Sequence, residues 1–222
     1  MGRVLAHKKH WINIGLPVIG IVIAALNFER SRKTFVTVGL FLGFILFLAL
    51  FQGTATPVYA ADILLPSFGN GQIKVRLYTD YFCSPCRALE PKLEPVITDL
   101  VKRDIINIIF IDAPVHAQTI LYARYFLYIL NEKKDFDHAL RARTVLFEAA
   151  KNKITESKKL EAFIKKKGIG FKPFDVKPTF GIFSSYLKED KINKTPTCII
   201  DNRGKRNRVI GDDILKVLAF LR

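Results

Sequence analysis

Cysteine is scarce in this chain: three residues in 222, too few for a disulfide-stapled scaffold. Two of them share one motif, Cys83-Ser84-Pro85-Cys86, so they are placed for chemistry and not for stapling. No second C-x-x-C is present, and the four histidines show no ligand spacing, which argues against structural zinc. No aromatic-and-basic motif accompanies the net charge of +15, so nucleic-acid binding is not expected. Internal repeats and low-complexity linkers are also lacking.

The positive charge itself is thinly spread. Residues 1–61 hold six Lys and Arg against Glu29, which leaves ten of the fifteen net charges on residues 62–222. They recur along the helical patterns, with denser runs at Lys165–Lys167 and at Arg203, Lys205, Arg206 and Arg208, and read as a solvated basic surface. Hydrophobic content of 50% and a mean hydropathy of +0.18 are high, and the excess is concentrated in the first 60 residues. The roughly 150 residues that follow suffice for one catalytic unit with its own core.

Residues 1–61 read as a hydrophobic leader, a signal peptide or a membrane anchor. Its apolar stretches are 11–26, interrupted by Gly15, Pro17 and Gly20, and 35–51. Both fall short of the roughly 20 residues of a spanning helix. Arg30, Arg32 and Lys33 precede the second stretch, and the small residues Ala60 and Ala61 follow it, the pattern of an export signal cut after Ala60. Arg3, Lys8 and Lys9 conflict with a two-helix hairpin, because the positive-inside rule cannot hold at both basic clusters. A translation start near Leu26 would remove the conflict. Either way, the domain after Ala61 is expected outside the cytoplasm.

Within that domain, Ile73 to Tyr78 alternates with period two and predicts a strand that delivers the chain to Cys83. Leu89, Leu93, Val96, Ile97, Leu100 and Val101 have helical spacing, with Pro91 and Pro95 as possible kink points. Ile106 to Ile111 suits a strand buried on both faces, so the natural unit is βαβ. Residues 116–190 lack strand signals and carry four helical patterns, at 120–130, 136–150, 160–164 and 182–187. A strand from Thr195, a turn at Asp201–Gly204, a strand through Ile210 and a closing helix 212–221 end the chain.

This arrangement puts Cys83 at a helix amino terminus, where the positive end of the helix stabilises a thiolate. Cys83 is thereby the candidate nucleophile and Cys86 its resolving partner. Exchange of this kind passes through a mixed disulfide and needs no cofactor. Alone, the motif also fits half a metal site or a chance spacing.

The segments 79–86 (Thr-Asp-Tyr-Phe-Cys-Ser-Pro-Cys), 110–116 (Phe-Ile-Asp-Ala-Pro-Val-His) and 194–197 (Lys-Thr-Pro-Thr) resemble the DsbA-like branch of the thioredoxin superfamily, over residues 72–222. The resemblance implies an α/β thioredoxin-like fold with an inserted helical domain. The core would lie at 62–115 and 191–222 and the insertion at 116–190. It also implies a cis bond at Pro196, with Thr195 and Pro196 binding substrate chain, and redox tuning by the dipeptide Ser84-Pro85. The 113 residues between Cys83 and Pro196 leave room for the insertion. Implied partners are protein thiols and disulfides and a membrane redox partner, a quinone-linked oxidase or an electron transporter, in a bacterial cell envelope.

Two departures qualify this. Many relatives keep a buried acid six residues before the first cysteine, where this chain has Leu77, and the dipeptide lacks the histidine of strongly oxidising relatives. Asp80 and Glu90 read as a turn residue or solvated helix face, Cys198 as a small buried hydrophobe, and His116 as a cap or turn residue. Residues 61–72 are too short for a dimerisation segment, so a monomer is expected. The leading reading is an extracytoplasmic disulfide donor. A reductase or isomerase on the same fold and a peptide-binding chaperone with an inert cysteine pair are its rivals.

Overall fold

The computed structural model describes residues 63–222, so the expected leader and its cleavage site lie outside the described residues. Five strands, β1 (Ser67–Phe68), β2 (Ile73–Thr79), β3 (Ile106–Asp112), β4 (Thr197–Asn202) and β5 (Lys205–Ile210), form one mixed sheet in the order β1-β3-β2-β4-β5. The helices are α1 (Ser84–Lys102), α2 (Thr119–Glu132), α3 (Phe136–Lys151), α4 (Ser157–Lys166), α5 (Lys177–Glu189) and α6 (Asp213–Ala219). Among the described residues no helix is long and apolar enough to cross a membrane.

Strand periodicity sorts the residues onto two faces. Val75 and Leu77 of β2, Ile106, Ile108 and Phe110 of β3, and Cys198 and Ile200 of β4 join one core with α1, α2, α3, α4 and α6. Tyr78, Ile111 and Ile199 point the other way, into a second cluster with Val176 and Phe183 of the α5 region. The four helices between 116 and 190 are thus shared between the two faces: α2, α3 and α4 on the α1 side, α5 opposite. Helix α1 runs through both Pro91 and Pro95 without a break.

β2 and β3 are parallel, with Thr79 opposite Asp112, while β2 and β4 are antiparallel, with Tyr78 opposite Thr197. The carboxyl ends of β2 and β3 and the start of β4 therefore converge at one edge of the sheet. The β4–β5 hairpin closes on Arg203 and Gly204, both with positive φ (52° and 82°), the backbone that a two-residue hairpin with right-handed strand twist requires. Asp190, buried at the end of α5, receives Arg76 at 2.9 Å together with Arg206 and the Tyr78 hydroxyl. Arg208 reaches Asn193 at 3.2 Å. These bonds hold the segment that leads into Thr195.

Candidate functional site

Cys83 is the N-cap residue of α1, with extended backbone (φ −71°, ψ 118°), and a proline stands in the helix's first turn. That turn carries no acidic side chain, so nothing within it competes with Cys83 for the positive helix end. The loop before it is held by Asp80, whose Oδ1 accepts from the backbone N–H of Phe82 at 2.7 Å and of Cys83 at 3.2 Å. Ser84 and Pro85 are exposed and form the surface over the pair.

The two thiols are unequal. Cys83 keeps 8% of its surface exposed and Cys86 1%, so only the first is open to an incoming chain. Burial pushes the Cys86 thiol far above its ordinary range, and its hydrogen bond with Cys83 pushes the same way. The Cys83 Sγ lies 3.4 Å from the Thr195 carbonyl oxygen, to which it donates. The Thr195–Pro196 bond is cis, and the Pro196 carbonyl is taken by the Gly211 N–H at 3.1 Å. The structure thus brings Cys83, Cys86 and Thr195 together from segments more than a hundred residues apart.

Cys198 is wholly buried on β4, opposite Leu77, and burial pushes its thiol up to about 12. It packs as a small core side chain. His116 sits in the turn before α2, its carbonyl accepting from the Thr119 N–H at 3.0 Å. Its backbone N–H and its ring Nδ1 reach the Asp80 carboxylate at 2.8 and 3.1 Å. Asp80 is a turn residue as expected, although its side chain is completely buried.

Glu90 corrects the sequence reading: it is neither turn nor solvated face. One turn after Cys86, it is 8% exposed and forms a two-pronged ion pair with Arg143 of α3, at 2.6 and 2.8 Å. Burial opposes the charge of this fully enclosed guanidinium, and Glu90 more than restores it. Arg143 also donates to Thr79 Oγ1 at 3.1 Å and lies 4.4 Å from the Phe110 ring centre. The Tyr81 hydroxyl donates to Asp112 at 3.3 Å. Sequence reasoning passed over Arg143 and Asp112. The available signal was one charge on an otherwise apolar stripe: Arg143 among Ala139, Ala142, Leu146 and Ala150, and Asp112 in step with Ile106, Ile108 and Phe110.

Burial pushes the Asp112 carboxyl up to about 7, against the opposing pull of Arg143. The folded value lies above the unfolded one, so the stability that this carboxyl contributes is complete below about pH 4. It is lost as pH rises through about 7. Asp112→Asn removes the titration, so urea unfolding should show the variant gaining on the native chain between pH 4 and pH 8, by on the order of 3 kcal/mol. An equal difference at both pH values would refute the assignment.

A family model described as Thioredoxin matches residues 69–218. No curated protein matches the chain in sequence. Several solved structures share its fold. A periplasmic thioredoxin-like protein from Salmonella enterica serovar Typhimurium is 19% identical, with TM-score 0.52 over 72% of this chain and 91% of that one. Alpha-DsbA1 from Wolbachia pipientis is 12% identical, with TM-score 0.54 over 71% and 90%. The catalytic domain of ScsC from Proteus mirabilis is 18% identical, with TM-score 0.51 over 72% and 90%.

Proposed function

This chain belongs to the thioredoxin family, and from that premise we propose that it is an extracytoplasmic thiol–disulfide oxidoreductase of the DsbA-like kind, working as a disulfide donor to exported proteins through Cys83 and Cys86. The observation that carries this reading is the geometry of the pair. Cys83, the N-cap residue of α1 and the more exposed of the two, donates its thiol to the Thr195 carbonyl, with an inaccessible thiol whose protonated form burial favours beneath it. In the donor direction a substrate thiolate attacks the Cys83 sulfur of the oxidised pair, and the Cys83–Cys86 bond breaks. Cys86 leaves and takes up a proton. The substrate's second thiolate then attacks the mixed disulfide, and Cys83 leaves as the thiolate that the helix end favours.

Thr195 and Pro196 hold the substrate chain beside Cys83 in this proposal, and Ser84 and Pro85 set the surface it meets. The cycle needs a membrane partner, a quinone-linked oxidase, to re-form the disulfide, and the apolar stretches 11–26 and 35–51 would keep the domain at that membrane. The periplasmic description of the Salmonella neighbour agrees with such a placement. One observation favours a second reading, a reductant on the same fold fed by an electron transporter: the dipeptide is Ser84-Pro85, with no histidine between the cysteines.

The equilibrium reduction potential of the purified protein, titrated against glutathione with Cys198→Ala as control, separates these readings. A value near about −120 mV is expected for a donor, and one near about −270 mV for a reductant. A pair with no redox transition would overturn both and leave a peptide-binding role for the groove.

A further inference from the structure

The carboxylate of Asp80 is completely buried, three residues before the nucleophile, and its partners account for all the support it has. Oδ1 accepts from the N–H groups of Phe82 and Cys83, and Oδ2 from the N–H of His116 at 2.8 Å. Those donors are neutral. Among the described residues, the cation-forming side chain that reaches Asp80 is His116, with Nδ1 3.1 Å from Oδ1. The nearby Arg87 guanidinium is committed to the carbonyls of Phe82 at 2.7 Å and Tyr81 at 3.4 Å. On the far side stands Asp112, whose carboxyl is pushed up to about 7 mainly by burial, with the Asp80 charge adding to the push. Tyr122, packed edge-on against Phe82, turns its hydroxyl to the Ile154 carbonyl.

His116 differs from its buried partner in being reachable: 46% of its side chain is exposed. Imidazole is the side chain whose charge changes in the neutral range. A neutral ring leaves the Asp80 charge uncompensated beside the Cys83 N–H, where it opposes a thiolate; an imidazolium cancels it. The ring thus stands, through one carboxylate, in electrical contact with the residue that caps α1.

We propose that His116 is a positioning residue that acts through Asp80 on Cys83, making disulfide donation by the Cys83–Cys86 pair stronger as the surroundings acidify. The inference rests on the redox reading above and adds to it a histidine outside the C-x-x-C motif. The chemistry balances without further reagents. Two electrons and two protons leave the substrate dithiol, the Cys83–Cys86 bond breaks and the substrate disulfide forms. One proton stays on Cys86, and the other goes to Cys83 or, where Cys83 remains a thiolate, to water. His116 changes the energy of that thiolate and carries none of the electrons.

The test uses the full chain and three measurements. First, the glutathione equilibrium constant is followed from pH 5 to pH 8 for the native chain and for His116→Asn, which keeps a side-chain N–H for Asp80 but cannot titrate. The variant is expected to be about tenfold less oxidising at pH 5, the effect of one compensating charge, and to converge with the native chain at pH 8. Second, His116→Lys, charged throughout, should hold the acid-side constant up to pH 8. Third, ring-labelled histidine in the native chain reports the His116 midpoint directly. Because coupling is reciprocal, it should be higher in the dithiol form than in the disulfide form, and this reading needs no variant to fold. Equal midpoints in the two forms, or superimposable pH profiles for the native chain and His116→Asn, overturn the proposal while leaving the oxidoreductase reading intact. Absence of any glutathione transition in the native chain would instead remove the reading on which it rests.

Discussion

Cys86→Ala is expected to arrest exchange at the covalent intermediate, so that the Cys83 thiolate attacks the disulfides it meets, expels one of their sulfurs as a thiolate and accumulates as a mixed disulfide. The reason is the asymmetry of the pair. Cys83 retains the accessible sulfur, the helix end and the Thr195 carbonyl at 3.4 Å, all independent of Cys86. What the variant loses is the second sulfur, buried to 1% exposure, and with it the intramolecular attack that resolves the adduct. Catalytic turnover should disappear while adduct formation persists. Cys83→Ala should form no adducts at all, because neither Cys86 nor Cys198 is reachable from solvent. Non-reducing electrophoresis and intact mass after incubation with a glutathione disulfide or a scrambled protein substrate read both outcomes. Adducts on Cys86 in the Cys83→Ala chain would sink the assignment of roles.

Arg143→Met is expected to cost about 3–5 kcal/mol of stability, the usual penalty for breaking a buried pair from one side. Arg143 is fully enclosed, and its departure leaves Glu90 beside Cys86 with no cation and Asp112 without its nearest positive neighbour. For a domain of this size the unfolding midpoint should fall by roughly 6–20 °C. Replacing both ends, Arg143→Met with Glu90→Leu, removes the uncompensated charge and should recover most of the loss, since an apolar pair of similar volume is often as stable as a buried ion pair. Thermal unfolding of the native, single and double variants at one pH measures this. A single variant within about 0.5 kcal/mol of the native chain, the range typical of substitutions on a surface, would mean that the pair contributes little. The ion pair joins α3, from the helical segment, to the turn of α1 that follows Cys86, so the same variants report how far that segment supports the redox helix.

Local pattern carried much of this protein. The alternation of Ile73 to Tyr78, the isoleucine run at 106–111 and the 3.6-residue spacing after Cys86 reflect short-range geometry, and β2, β3 and α1 lie where those patterns place them. The two-residue strand β1 left no periodic trace, being too short to show one. It exists because β3 offers it an edge, with Ser67 opposite Ile109. Likewise, periodicity placed α5 among the helices of 116–190 but could not say that it lies across the sheet from its neighbours. A helical stripe records that a face is buried and not what buries it.

The candidate site divides in the same way. The pair Cys83 and Cys86 and its position at a helix start were legible in the order of residues, because a motif and its flanking elements are contiguous, whereas Thr195 and Pro196 entered only through the family resemblance. Glu90 was misread as solvated because its partner lies 53 residues away. Tyr81 and Asp112 each stood in a segment that carried the family resemblance, but their contact across 31 residues left no sign in either. His116 looked like a turn residue, which it is, yet its ring meets Asp80 across 36 residues. The sequence by itself determined which residues are candidates to exchange electrons and which elements carry them, since covalent chemistry and local backbone preference are properties of short segments. Only the tertiary structure decided which charges are buried together, which thiol keeps some exposure, and which histidine meets Asp80, because desolvation and Coulomb energy depend on distance in space and not along the chain.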